Sequence, residues 1–510
     1  MLLMDGVGWS RMVERTEAYF DDHKVVEDLG RRALRGGIVS LVMQYGNGAL
    51  QLVGAIILAR LLTPEDFGLV AIFIVVTSFA PMLIDFGLGE ATAQRSRITP
   101  GQISSLFWFS TAGGVIVAVV SAAFGPLIAS IFHDPRLGPI TLCASVTFAF
   151  LGVSSQHMAL LRRTMQFGAI ARIQVSSTFV GVVVAVAMAS YGYGYWALVL
   201  RPIASALCVV IGSWFLCSWK PGLPVFDSEV KSMMRFGLHV VGFSVAYNIA
   251  KAVDRIGLGL FYRPDVVGYY QNATVLYEYS ILLVIGQAQA VGTPSLSKLR
   301  SDPVALRQKY EAALSVLAFF LMPIAAILSV TAQDITVLLL GEKWHVAGSL
   351  LSIVAARGIF QVVEGSQAWL HLSLGRPDRW QNWGVVTLGV QLMAVVAGLS
   401  FGPTGVAAAT VLVALLIAIP SVVYAGGSIG IDAALVIRAV GPQLVGAIGI
   451  LAAGWGLQIA ILSDFQSLIR IPLSVAFCTF LYLLIVAGVF GLTGPIKLVG
   501  SVARDLMRTR

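Results

Sequence analysis

The sequence carries little charge. Of its 510 residues only 12% are Asp, Glu, Lys or Arg, whereas 57% are hydrophobic. A soluble domain carries roughly 25% charged residues, so the chain is predicted to be a polytopic membrane protein. Its net charge of +8, which in a soluble protein would suggest a nucleic-acid partner, is better explained by loops that face anionic lipid. No nucleic-acid partner is expected.

Motifs for catalysis, metals and cofactors are also scarce. Four cysteines occur without a CxxC pair, so we interpret them as small buried apolar side chains. The P-loop pattern GxxxxGK[ST] does not occur, so no ATP site is expected. The six histidines do not cluster, and no Ser-His-Asp arrangement is evident. The expectation is a protein that is not an enzyme and has neither cofactor nor metal.

Apolar runs of about 20 residues, the length that crosses a bilayer, are abundant. They predict an all-α polytopic membrane protein with fourteen transmembrane helices. The predicted spans are 37–61, 66–88, 103–131, 139–160, 172–191, 196–216, 237–261, 266–292, 312–340, 347–371, 381–401, 403–425, 437–462 and 471–493.

The basic residues predict the orientation of these spans. With the N-terminus in the cytoplasm, inner segments hold 25 of the 34 Lys and Arg residues and outer connections hold 5. Cytoplasmic loops are enriched in Lys and Arg, so both termini are predicted to be cytoplasmic. The remaining four basic residues lie within spans. They are Arg201, Lys251, Arg255 and Arg357.

An internal repeat divides the chain. Pro64 and Gly68 recur as Pro264 and Gly268, and Gly192 recurs as Gly402. These spacings of about 200 residues predict two pseudo-repeated six-helix lobes followed by two further helices, an arrangement found in secondary transporters. The predicted segments are a cytoplasmic N-terminal segment at 1–35, an N-lobe at 36–217, a cytoplasmic linker at 218–235, a C-lobe at 236–426, spans 13 and 14 at 427–493, and a cytoplasmic tail at 494–510.

Two spans carry polar stripes. In span 7, Asn248, Lys251 and Arg255 share a narrow arc of the helix and Asp254 lies beside it. Intramembrane charges are costly and mark functional sites by default. Span 1 has a neutral stripe at the corresponding place, and both stripes are predicted to line a cavity; hydrogen bonding between packed helices is the alternative. The residues of the span 1 stripe are Gln44, Asn47 and Gln51.

Span 10 places Arg357, Gln361 and Glu364 on one face. Together with Arg201, Lys251 and Arg255, Arg357 is a candidate to line a substrate path, because a desolvated anion needs compensating positive charge. Arg201 could instead snorkel to the outer surface, and Arg255 could serve a structural ion pair. Candidates for binding a coupling ion, with structural ion pairs as the alternative, are Glu278, Glu364 and Asp254.

One long segment near the start of the predicted spans is recognisable: the run LARLLTPEDFGLVAIFIVVTSFAPMLIDFGLGEATAQR at 58–95. It resembles the opening signature of Wzx-type bacterial polysaccharide flippases, of the multidrug/oligosaccharidyl-lipid/polysaccharide exporter superfamily. Further similar segments are Asp254-Arg255-Ile256-Gly257, Gly341-Glu342-Lys343-Trp344 and Leu374-Gly375-Arg376-Pro377. The resemblance extends over about residues 36–425 and weakens over spans 13 and 14.

The resemblance implies a V-shaped pair of bundles that works by alternating access in the bacterial inner membrane. The implied substrate is an undecaprenyl-diphosphate-linked oligosaccharide, with membrane lipids and the polymerase and chain-length proteins of the pathway as partners. It also implies coupling to an ion gradient and a lipid-tail groove beside spans 13 and 14. The alternatives are a multidrug or cation exporter of the same superfamily and a membrane polysaccharide polymerase or glycosyltransferase; the short outer connections disfavour the latter.

Overall fold

A computed structural model of the chain describes residues 29–77, 80–85, 98–225 and 252–492, together with Thr92 and Gly494. This described part is 87% helical and contains no strand. The chain divides into two compact units, unit 1 over Met1–Ala252 and unit 2 over Val253–Arg510.

Unit 1 is built from helices that pack in pairs. The helices are α1 (Leu29–Leu61), α2 (Pro64–Thr77), α3 (Ala80–Asp85), α4 (Pro100–Ala123), α5 (Gly125–Ile131), α6 (Leu137–Ala144), α7 (Val146–Arg163), α8 (Phe167–Ser190) and α9 (Trp196–Leu216). The most extensive helix–helix contacts in the unit are those of α8 with α1 and α9, and of α7 with α4 and α9.

Unit 2 is organised around two long helices, α12 (Pro303–Leu340) and α13 (His345–Ser373), against which most of the others pack. It opens with a helical stretch at 252–261, and a π-helical turn at Glu278–Leu282 separates α10 (Pro264–Tyr277) from α11 (Leu283–Ser297). The further helices are α14 (Pro377–Leu399), α15 (Gly402–Gly426), α16 (Ala433–Ala460) and α17 (Ser467–Leu483).

Eleven helices in the described residues are long and apolar enough to cross a membrane. They coincide with predicted spans 3–6 and 8–14. Predicted spans 2 and 7 run into residues outside the described ranges, and predicted span 1 lies within α1. The total of fourteen spans, like the predicted segment boundaries, therefore stays a prediction.

The connection between predicted spans 8 and 9 is shorter in the structure than the sequence predicts. α11 continues to Ser297 and α12 begins at Pro303, because Asp302 caps α12 by accepting hydrogen bonds from the backbone N–H groups of Val304 and Ala305. Polar side chains in this stretch suggested a loop, but they are the capping residue and the exposed first turns of a helix.

Backbone conformation supports the repeat. Left-handed φ angles occur at Met165 and Gly375, which end matching helices 210 residues apart, and at Gly192 and Gly402, also 210 residues apart. Two left-handed positions thus recur at the predicted spacing, and the division into two repeated lobes stays a prediction.

The last two helices are bonded to α12 at three levels. Gln443 Nε2 donates to Ser315 Oγ at 2.9 Å and Tyr482 Oη donates to the Phe319 carbonyl at 3.0 Å. Near the other end of α12, buried Asp334 accepts hydrogen bonds from three side chains of α16 and α17. These donors are Gln458, Ser467 and Arg470.

Candidate functional site

Charged side chains meet inside unit 2 where the stretch 252–261 approaches α10. Asp254 accepts a hydrogen bond from the Tyr270 hydroxyl at 2.9 Å and one from the Arg255 backbone N–H at 2.8 Å. The Arg255 guanidinium lies 3.4 Å from a carboxylate oxygen of Glu278, and its Nε lies 3.9 Å from a carboxylate oxygen of Asp254. Arg255 therefore contacts two carboxylates, and its ion pair with an adjacent helix is present.

Glu278 is the most accessible member of this group. Its side chain is 44% exposed, against 19% for Arg255 and 9% for Asp254. Glu278 also begins the π-helical turn that interrupts α10 and α11. Such turns insert an extra residue into the helix and are common at functional sites. The arrangement gives a carboxylate that can exchange with solvent next to an arginine held by the protein.

Arg357 lies on α13 within electrostatic reach of Glu364 and Asp254. Its Nε atom is buried and has no hydrogen-bond partner among the described residues. A buried donor without a partner is costly, and for a charged group the cost is larger. Arg357 can therefore accept an anion without first giving up a hydrogen bond at Nε.

One turn along α13, Gln361 Oε1 accepts a hydrogen bond from the Tyr277 hydroxyl at 3.1 Å. The predicted face of span 10 thus meets the end of α10, directly before Glu278. Five charged residues of unit 2, three acidic and two basic, belong to this membrane-embedded cluster: Asp254, Arg255, Glu278, Arg357 and Glu364.

Two tyrosines of this cluster escaped the sequence reasoning. Tyr270 and Tyr277 are both buried, and each donates to a polar residue of another helix. They are seven residues apart on α10, so they share one face of that helix. This seven-residue spacing is the sequence signal that points to the two tyrosines.

The remaining predicted site residues lie in unit 1 or outside the described residues. On α1, Gln44 is exposed, whereas Asn47 and Gln51 are half-buried, as is Arg201 on α9. Lys251 and Asn248 lie outside the described residues. Within the described ranges no group of three His, Cys, Asp or Glu side chains is arranged to hold a metal ion.

Unit 1 has a charged cluster of its own in a connection. Arg136, between α5 and α6, lies 2.7 Å from Asp134 and 2.6 Å from Glu65 at the start of α2. Hydrogen bonds from Arg136 hold the pKa of Asp134 below its usual value, and the same contacts raise the pKa of Arg136. This cluster joins two connections at one end of unit 1.

Comparison with known proteins gives both a family and a fold. A family model described as "Polysaccharide biosynthesis protein" matches residues 57–349. Lipopolysaccharide biosynthesis protein WzxC of Escherichia coli (strain K12) is 24% identical over 369 residues, covering 71% of this chain and 73% of WzxC. Teichuronic acid biosynthesis protein TuaB of Bacillus subtilis (strain 168) is 24% identical over 354 residues, covering 68% of this chain and 73% of TuaB.

Two solved structures share the architecture. The lipid II flippase MurJ, in an inward closed conformation, matches with a TM-score of 0.67 at 15% identity, covering 89% of this chain and 99% of MurJ. An inward-facing multidrug resistance MATE family transporter of the MOP superfamily matches with a TM-score of 0.59 at 16% identity, covering 78% of this chain and 98% of the transporter. At these identities the likeness concerns the fold alone.

Proposed function

Because the chain belongs to the polysaccharide biosynthesis protein family, whose model matches more than half of it, we propose that it is a flippase for a lipid-linked oligosaccharide. The proposed substrate is an undecaprenyl-diphosphate-linked repeat unit, carried across the bacterial inner membrane by alternating access. The proposal includes cytoplasmic termini and coupling to an ion gradient.

Arg357 is the observation that carries the proposal. Its side chain lies in an apolar helix and its Nε is buried without a hydrogen-bond partner among the described residues. A diphosphate that crosses a membrane loses water and needs charge-assisted hydrogen bonds in return, which a guanidinium supplies in a fork. Arg357 and Arg255 of unit 2 are therefore proposed to contact the diphosphate, with Lys251 and Arg201 as further cations of the path.

Polar neutral residues and acids complete the proposed path. Gln44, Asn47, Gln51, Asn248 and Gln361 are proposed to line it, because sugar hydroxyls require neutral hydrogen-bonding partners. Glu278, Glu364 and Asp254 are the candidates for binding the coupling ion. Glu278 leads this group, because it is the most exposed and its only ion pair in the described part of the chain is the 3.4 Å contact with Arg255.

The decisive test measures lipid-linked oligosaccharide in each leaflet of the membrane. Cells that lack the protein, or that carry Arg357→Gln, should accumulate the unit in the inner leaflet. Arg263→Gln is the matched control, since Arg263 belongs to the same unit but its side chain is 82% exposed. Normal outer-leaflet exposure in cells without the protein, with a block only in polymerisation, would falsify the flippase proposal.

A cation exporter is the second candidate, because the cluster of unit 2 holds three carboxylates against two guanidinium groups and the Glu278 carboxylate is accessible. The same strains separate the two functions. Cation export predicts that loss of the protein raises sensitivity to cationic drugs, and that Glu278→Gln reproduces this while both leaflets keep normal oligosaccharide levels.

A further inference from the structure

Three arginines surround the turn between α13 and α14 of unit 2. Gly375 ends the preceding helix with a φ of +64°, and the Arg300 guanidinium packs so closely that a Cβ on Gly375 would lie 2.7 Å from it. Arg376 follows in the turn, and Arg379 lies in the first turn of α14. Two connections of unit 2 thus bring guanidinium groups to one turn.

Two of these arginines have neighbours that leave their charge unneutralised. Arg379 lies 4.5 Å above the ring of Tyr424, which in turn stacks on Trp383, a cation–π contact that leaves the N–H groups free to donate outward. Arg300 is held against Gly375. Neither Arg300 nor Arg379 makes an ion pair with another described residue.

The two carboxylates described near this turn, those of Asp378 and Asp302, already have partners. Asp378 lies 3.5 Å from Arg376, and both side chains are more than half exposed, so this pair is weak. Asp302, two residues after Arg300, is the N-cap of α12. At the start of α14 the backbone N–H groups of Arg379 and Trp380 donate to the Arg376 carbonyl, so the guanidinium groups are the available donors of this turn.

We propose that this turn, with Arg300, Arg376 and Arg379, is a binding site for phosphate esters, separate from the membrane-embedded cluster around Arg357. Guanidinium groups from two connections lie at this turn, and guanidinium groups recognise phosphate oxygens. The general excess of basic residues in cytoplasmic loops does not account for the cation–π contact of Arg379 with Tyr424 or for the close approach of Arg300 to Gly375.

The role of the site rests on the proposed function and on the predicted orientation, in which this turn faces the cytoplasm. The turn would then receive the diphosphate at the inner leaflet. The same helix, α13, continues from here to Arg357 over 16 residues, a rise of about 24 Å. One helix thus carries a receiving site at its end and the proposed translocation site in its interior.

The test measures binding of fluorescent farnesyl diphosphate to the full-length protein in phosphatidylcholine nanodiscs. An Arg357→Gln background removes the competing guanidinium of the membrane-embedded cluster. In that background Arg300→Gln/Arg379→Gln should weaken binding about 10-fold or more, since each change removes charge-assisted hydrogen bonds. The matched control, Lys309→Gln/Arg438→Gln, removes two exposed charges of the same unit and should weaken binding less than about 2-fold.

Equal weakening by the two pairs would overturn the proposal, because net charge alone would then explain binding. Unchanged binding in the Arg300/Arg379 variant would overturn it as well. The single change Arg300→Gln guards against misfolding, because Arg300 is exposed; it should weaken binding about 3-fold or more with an unaltered thermal unfolding midpoint.

A second arm identifies the source of the phosphate. In nanodiscs that contain phosphatidylglycerol, retained binding of farnesyl diphosphate supports a site for the diphosphate of the substrate. Displacement by phosphatidylglycerol supports a phosphate-ester site that binds lipid headgroups. Because no translocation is measured, the result is independent of the leaflet assay, and either hypothesis can fail while the other stands.

Discussion

The two units carry different side chains at positions that the repeat pairs. At a spacing of 200 residues, unit 1 has Gly54 and Ala55 where unit 2 has Asp254 and Arg255. A Cβ on Gly54 would lie 2.6 Å from a methyl group of Val182 on α8, so α1 and α8 touch at this point. Unit 1 has close helix packing where unit 2 has an acid and a base.

The second spacing gives the same contrast. At 210 residues, Thr147 and Ser154 of α7 correspond to Arg357 and Glu364 of α13, and Ser154 donates to the Phe150 carbonyl of its own helix. At these positions unit 1 thus has hydroxyl groups, of which Ser154 bonds within its own helix, whereas unit 2 has an arginine and a glutamate. We interpret unit 2 as the part that recognises the charged end of the substrate, and four predictions test this contrast.

The largest effect is expected at Asp334, which bonds helices that lie beyond the repeat. Asp334→Ala leaves the Arg470 guanidinium without its carboxylate, and removing one member of a buried pair costs about 3–5 kcal/mol. The thermal unfolding midpoint should fall sharply, and protease should cut within the connection at 461–466.

An apolar replacement of the whole pair is the control. Asp334→Leu/Arg470→Met leaves no buried charge unpaired, so most of the lost stability should return. If the double variant is as unstable as Asp334→Ala, the ion pair is not what holds α17 to α12. Side-chain packing would then account for the attachment of α17.

The second prediction sets the span-embedded arginines of the two units against each other. Arg357→Gln should lower the rate of oligosaccharide translocation about 10- to 100-fold, the equivalent of one lost charged hydrogen bond. Arg201→Gln in unit 1 should lower the translocation rate less than about 3-fold, because Arg201 lies near the start of α9, where a side chain can reach the surface. Equal losses, at equal protein levels, would show that both units bind the charged group.

Much of this architecture could be read from the sequence. Apolar runs located eleven helices, because hydrophobic length is a local property. The spacing of Arg357, Gln361 and Glu364 correctly placed them on one face of a helix, since a helical period fixes it.

Tertiary partners could not be read in this way. Asp334 is an acid within predicted span 9, which is itself a signal, but its partners lie 124 to 136 residues away and have no local pattern that identifies them. The contacts of Asp254 with Tyr270 and of Arg255 with Glu278 also depend on which helices pack against them. The π-helical turn at Glu278 has no sequence pattern that we could have used.

The third prediction concerns the hydrogen bond that holds Asp254. Tyr270→Phe removes the hydroxyl donor from a buried carboxylate, which should cost about 1–3 kcal/mol. Tyr269→Phe is the control, because its half-buried ring makes an edge contact with Trp344 and its hydroxyl is not part of the cluster. Unit 1 has Val70 at the position of Tyr270, so this bond is one of the features that distinguish the units.

Thermal unfolding of the two tyrosine variants measures this effect. A lower midpoint in Tyr270→Phe alone supports a structural role for Asp254. A combined Asp254→Asn/Tyr270→Phe variant should be less unstable than the sum of the single changes, because the two residues share one bond. Additive losses would contradict that role and would return Asp254 to the group of coupling candidates.

The smallest effect is expected at Arg136, between α5 and α6 of unit 1. Its ion pairs, at 2.6 and 2.7 Å, are shorter than the 3.5 Å contact between Arg263 and Asp265 of unit 2. Hydrogen bonds from Arg136 lower the pKa of Asp134, so the pair stabilises the protein above the unfolded pKa of Asp, about 3.9. That stability is lost as the pH falls through the lower pKa of the folded state. The exposure of Arg136 limits the effect to less than about 1 kcal/mol.

Arg136→Gln should therefore lower the unfolding midpoint at pH 7, and the difference from the unchanged protein should shrink as Asp134 becomes protonated in acid. In unit 2, Asp265 stands at the position of Glu65 at the spacing of 200, and it lies 3.5 Å from Arg263, whose side chain is 82% exposed. Arg263→Gln should leave the midpoint unchanged at both pH values, because an exposed pair of this kind contributes little. If the two arginine variants behave alike, the tighter contacts of Arg136 do not stabilise unit 1, and the contrast between the units is confined to their membrane-embedded helices.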